Sequence, residues 1–142
     1  MKIIVDTNVI LDFLLSREPH IADAKHLFKM VSQEKVEAFI TASSVTDIYY
    51  IVAKRLGDTT AKGAIKHLLG ILGVIAVGGS DCLGALDLPI ADFEDALVAT
   101  CANKEDMDYI VSNDKEFLKV VASPISVVSI RSFLGLSQNR DL

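Results

Sequence analysis

The chain has 142 residues, room for one domain with a sizeable core and too few for two. Hydrophobic residues make up 51% and charged residues 23%, which excludes a disordered chain and suggests apolar surface for self-association. A net charge of −5 excludes a broadly basic surface for phosphate backbones, although acidic metal ligands would themselves contribute negative charge.

Lys2–Val5 reads as a buried strand, followed by a short helix holding Phe13, Leu14 and Leu15. Ile21–Val31 is a helix with Ala24, Leu27, Phe28 and Val31 on one face. Val36–Ile40 is the second strand. Ser44–Leu56 is a helix with Val45, Ile48, Tyr49 and Val52 inward and Gly57 as its stop. Thr59–Leu69 continues as another helix, and Val74–Val77 is the third strand, closed by Gly78 and Gly79. Cys82–Leu86 is a short helix. Asp92–Asn103 is a helix with Phe93, Leu97, Thr100 and Cys101 as its apolar stripe. Tyr109–Val111, Lys115–Val120, Ile125–Val128 and Arg131–Leu136 read as strand, short helix, strand and helical tail. This alternation predicts a three-layer α/β/α sandwich around a parallel sheet of about five strands, in one domain over 1–142.

Nothing in the sequence directs the chain out of the cytoplasm. Asp6 interrupts the N-terminal apolar run after three residues, and the longest apolar run, Leu68–Val77, has ten residues and contains two glycines. Cys82 and Cys101 lack metal-ligand spacing and read as buried thiols in a reducing compartment.

In parallel sheets the ligand site lies beyond the carboxyl ends of the strands. Asp6 and Asp114 follow the first and fourth strands. Asp92 and Asp95 open the helix before strand four, and Asp47 falls in the first turn of the helix after strand two. Each also reads as a helix cap: Asp6 and Asp114 singly, Asp92 with Asp95, and Ser44-x-x-Asp47 as a capping box. As a group they repel one another. No lysine or arginine neighbours Asp6, Asp47 or Asp95 in sequence, so a divalent cation is the economical neutraliser. An all-oxygen donor set favours Mg²⁺ or Mn²⁺ over Zn²⁺. His20, His26 and His67 are placed away from this rim and excluded as ligands. Lys54, Arg55, Lys62 and Lys66 form either a modest basic strip or a solvated face.

Three segments then carry a family likeness. Val5-Asp6-Thr7-Asn8-Val9, Asp92-Phe93-Glu94-Asp95-Ala96-Leu97 and Ile110-Val111-Ser112-Asn113-Asp114-Lys115-Glu116-Phe117 resemble, in that order, the motifs of PIN domains. Among these, single-domain VapC-like toxins are the nearest likeness. The resemblance implies a Mg²⁺- or Mn²⁺-dependent ribonuclease that leaves 5′-phosphate and 3′-hydroxyl ends. The catalytic and metal-binding acids it implies are Asp6, Asp95, Asp114 and Asp47. The last stands where the family usually has glutamate, one methylene longer. Asn8, Asp92 and Ser112 match supporting positions, while substrate-binding residues are not implied. The resemblance further implies an RNA substrate and an antitoxin protein partner; the apolar composition suits a homodimer, and no apolar run is long enough for a membrane span. The Tyr49–Val52 run suits a partner groove or the core. The rivals are a catalytically inert PIN-fold module that binds nucleic acid or protein, and a haloacid-dehalogenase-type phosphatase. The latter wants an acid at position 8, which is Asn.

Overall fold

A computed structural model describes residues 1–140, with side chains through 138. Five parallel strands form one sheet: β1 (Lys2–Val5), β2 (Glu37–Thr41), β3 (Gly73–Ile75), β4 (Tyr109–Val111) and β5 (Val127–Val128), ordered β3-β2-β1-β4-β5. The chain winds from β1 outward through β2 to β3, then crosses back to β4 on the other side of β1. The order therefore reverses beside β1, and a crevice opens at the carboxyl ends of β1 and β4.

Helices cover both faces. Between β1 and β3 run α1 (Thr7–Leu14), α2 (Ile21–Ser32), α3 (Ala42–Leu56) and α4 (Asp58–Leu69). Their apolar sides pack with Ile3, Val5, Ala38, Ile40 and Val111 of the strands. On the opposite face lie α5 (Gly79–Asp87), α6 (Phe93–Lys104) and α7 (Lys115–Leu118), against Ile4, Ile75 and Ile110. Successive strand residues thus feed alternate cores, which is why the strands are apolar without a polar face. The last helix, α8 (Ile130–Arg140), packs on the α1–α4 side through Ile130, Phe133 and Leu134. Among the described residues no helix is long and apolar enough to cross a membrane.

The third strand ends at Ile75 rather than Val77, and Gly79 opens α5 instead of closing the strand; two further expectations change. The α6 stripe is not a stripe: Asp95–Ala99, Cys101 and Ala102 are all buried, while Phe93 is 45% exposed. The helix lies between the sheet and α5, and small residues permit this double contact. A Cβ at Gly84 of α5 would already meet the Thr100 methyl at 3.5 Å, ordinary van der Waals contact, so the two helices pack closely there. The start of α3 also moves. Thr41 ends β2 and caps α3 directly, its hydroxyl accepting from Ser44 N at 3.2 Å, so no loop separates strand from helix. Asp47 consequently stands in the second turn, exposed, and the Ser44–Asp47 capping box does not form. Gly57, at φ +90°, separates α3 from α4 as expected of a stop glycine.

Candidate active site

The central strand delivers Asp6 to the crevice. Its N–H still donates to Val111 O at 2.9 Å, so the residue is fixed to the β4 side of the switch point. Its carboxylate is only 5% exposed and accepts three hydrogen bonds: Thr7 N at 2.9 Å, Ser112 Oγ at 2.8 Å and Asn8 Nδ2 at 3.0 Å. Ser112 is fully buried, and its hydroxyl in turn accepts from Asp114 N at 3.1 Å. Asn8 Oδ1 accepts from Asn113 N at 3.2 Å. Asn8 and Ser112, expected as supporting residues, therefore tie the ends of β1 and β4 together and hold Asp6 from two sides.

The other acids arrive on helix starts. Asp92 caps α6 by accepting from Asp95 N at 3.0 Å, and Asp114 caps α7 by accepting from Glu116 N at 2.9 Å. The capping readings of Asp6, Asp92 and Asp114 are thus correct, and the same carboxylates face a shared cleft. That cleft, of about 580 Å³, is lined by Asp6, Asp47, Asp92, Glu94, Asp95 and Asp114 with Thr7, Asn8, Leu11, Arg17, Tyr50 and Ile51. A second cavity of about 590 Å³ opens on the far side of Asp92, Asp95 and Asp114.

Electrostatics set Asp6, Glu94 and Asp95 apart. Asp95 is 8% exposed, and its carboxyl is pushed up to about 7, by burial first and then by Asp92, Asp6, Asp114 and Glu94. Burial also raises Asp6 against the opposing hydrogen bonds from Ser112, Thr7 and Asn8. Glu94 is raised by partial burial in the cleft, then by Asp47 and Asp6. Asp81 on α5 shows the opposite case. It accepts from Gly78 N at 2.8 Å and pairs with Lys104 at 2.9 Å, and its carboxyl is lowered. Asp81 has its counter-charge; among the described residues no cation pairs with Asp6, Glu94 or Asp95, which repel one another.

The donor chemistry suits a hard divalent cation, since carboxylate oxygens dominate and, among the described residues, no histidine or cysteine lines the cleft. Among the described residues no three acidic, histidine or cysteine side chains are placed so that they could hold a metal ion.

The sequence matches the family described as PIN domain over residues 2–116, a span that contains every acid of the cleft. The chain belongs to the PIN-domain family. It is similar to Ribonuclease VapC1 of Aquifex aeolicus, at 29% identity over 121 residues, covering 82% of this chain and 83% of that one. Its fold is similar to VapBC2 from Rickettsia felis, solved bound to a promoter DNA fragment, with a TM-score of 0.69 and 17% identity, covering 91% of this chain and 98% of that one. It is also similar in fold to VapC20 of Mycobacterium tuberculosis, a sarcin–ricin loop cleaving toxin, with a TM-score of 0.65 and 16% identity, covering 81% and 92%.

Several residues of this PIN domain escape sequence reasoning. Glu94 lines the cleft from within the α6 motif, where it lies between two aspartates. Arg17 also lines it, so the cleft is not devoid of cations, contrary to what the neighbours of the acids in sequence imply. Its Nε lies 3.0 Å from Asp12 Oδ1. His20 is not remote: with Asn8, Arg17, Asn113 and Asp114 it borders an adjoining pocket of about 330 Å³. Buried Ser44 accepts from Thr7 Oγ1 at 3.0 Å and sits 3.0 Å from Thr41 Oγ1, a hydroxyl chain that fixes α3, and so Asp47, against the start of α1. Thr7 and Ser44 stand 37 positions apart, so no local signal marks that contact. The basic side chains of Lys54, Arg55, Lys62 and Lys66 do not line the cleft, which favours the solvated-face reading.

Proposed function

We propose that this PIN domain is a Mg²⁺- or Mn²⁺-dependent endoribonuclease of the VapC kind, acting in the cytoplasm as the toxin of a toxin–antitoxin pair. The observation that carries the reading is the uncompensated acid cluster at the switch point, with Asp95 pushed up to about 7 by burial and its neighbours. The VapC1 relative and the VapBC neighbours support the same activity and an antitoxin partner.

Asp6, Asp95 and Asp114 would hold the cation, with Asp47 completing the set from α3. A divalent cation bound there supplies Lewis acidity toward a phosphodiester and its attacking water. The chain's own part is placement. Thr7 N, Asn8 and Ser112 fix the Asp6 carboxylate, leaving oxygen lone pairs for a ligand. The Asp114 N–H to Ser112 bond keeps the third acid in register with the first. Asp92 anchors the N-terminus of α6 and so sets where Asp95 points. Among the described residues no serine triad is assembled in the cleft, so a water is the nucleophile of this reading, and the products carry 5′-phosphate and 3′-hydroxyl ends.

The test is cleavage of a labelled single-stranded RNA with Mn²⁺ and with excess EDTA. Cleavage only in the Mn²⁺ reaction is expected; equal cleavage in both would overturn the metal requirement. The inert-module reading is favoured by one observation, the separation of the acids, which among the described residues form no metal-holding group. RNA binding without cleavage at any Mn²⁺ concentration would establish it. Exposed Leu83 and Leu86 on α5, 68% and 67% accessible, provide apolar surface for the homodimer.

A further inference from the structure

The two walls of the cleft are chemically different. The α6 wall presents Asp92, Glu94 and Asp95. The opposite wall, built by α1, the segment after it and α3, presents Leu11, Arg17, Tyr50 and Ile51, with Asp47 as its single acid. Tyr50 is 68% exposed and Ile51 40%, so neither is held by the core, although Val52 beside them is buried. The Tyr50 and Tyr49 rings form a T-shaped pair, with centroids 5.3 Å apart at 87°. Arg17 is the basic member of the lining among the described residues. Its Nε pairs with Asp12 Oδ1 at 3.0 Å, yet the side chain stays 39% exposed, so guanidinium surface remains for an anion. A part-exposed guanidinium beside an exposed aromatic ring offers complementary places for an anion and a flat ring.

Resting on the ribonuclease reading above, we propose that the α1–α3 wall seats an unpaired nucleotide beside the scissile phosphate, with its base stacked on Tyr50 and its phosphate held by Arg17. A base can reach a protein ring only when it is unpaired, so the substrate class is single-stranded or looped RNA. Leu11 and Ile51 supply the apolar surroundings of the stacked base. The wall's continuity with the acid cluster favours a nucleotide over a protein segment as its occupant: the same ligand spans ring, cation and acids.

The experiment measures Mn²⁺-dependent cleavage of one RNA as a single strand and annealed to its complement. It also follows binding of the labelled single strand by fluorescence anisotropy in EDTA. Wild type should cleave the single strand at least about tenfold faster than the duplex. Tyr50→Ala should raise KM and the binding Kd about tenfold with a smaller change in kcat, while Tyr50→Phe keeps wild-type values. Asp12→Asn/Arg17→Gln removes both partners of the ion pair and should reduce the salt slope of binding by about one. Unchanged KM and Kd in Tyr50→Ala, or equal cleavage of duplex and single strand, would overturn the proposal. So would Tyr50→Ala that binds RNA normally but sediments with altered self-association, which would assign the wall to a second copy. A wild type that binds the strand through Tyr50 but cleaves nothing would instead refute the ribonuclease reading and leave the nucleotide seat standing.

Discussion

Asp95→Asn is expected to lose RNA cleavage by at least about 100-fold and, in EDTA at pH 8, to melt several degrees above wild type. The two effects share one cause. Asp95 is nearly buried among like charges, and ionising it in the folded, metal-free protein is unfavourable. Its bond to the Asp92 cap runs through its backbone N–H, which Asn keeps, so the neutral amide removes repulsion at little structural cost. Loss of even an outer-sphere group around a metal typically costs about 10- to 100-fold, and loss of a ligand should exceed that. A gain of about 1–2 kcal/mol in a chain of this size moves Tm by roughly 3–8 °C. Paired measurements of cleavage rate and thermal melting check both halves. An inactive variant that is also less stable would mean that Asp95 serves the fold.

The metal-free wild type should become less stable as pH rises from about 4 to about 7. The sign follows from proton counts. An aspartate held up to about 7 in the fold, from 3.8 as its ordinary value, keeps its proton through that window while the unfolded chain has released it. The folded state binds more protons, so its stability is full below 3.8 and is lost as pH climbs through about 7. Burial of Asp6 and Glu94 pushes the same way. The loss attributable to Asp95 is on the order of 2–4 kcal/mol. Asp81, whose carboxyl is lowered, loses its contribution only below the ordinary carboxylate value, outside this window. Urea denaturation at several pH values, for wild type and Asp95→Asn in EDTA, isolates the effect as a difference of slopes. Parallel slopes would contradict it.

The parallel-sheet rule made Asp6, Asp95 and Asp114 legible, because a strand end or helix start in such a fold points to one edge. Asp47 was harder. Thr41 both ends β2 and caps α3, so the helix begins two residues before Ser44 and its acid moves from the first turn to the second. Arg17 and His20 lie in the segment between α1 and α2, where no hydrophobic period governs the path. They reach the site by non-local folding that a window of sequence does not encode. The burial of α6 is hidden from the sequence for another reason. Alanines count little in an amphipathic pattern, yet Ala96, Ala99 and Ala102 are what let the helix lie between two layers.

The switch-point acids form an uncompensated cluster whose natural counter-charge is a divalent cation. Calorimetric titration of Mn²⁺ into the protein near pH 6.5, repeated in two buffers of different ionisation enthalpy, tests this most directly. Saturable binding tighter than the millimolar range is expected, with release of a proton to the buffer as Asp95 ionises. Binding weaker than millimolar, or binding without proton release, would contradict it.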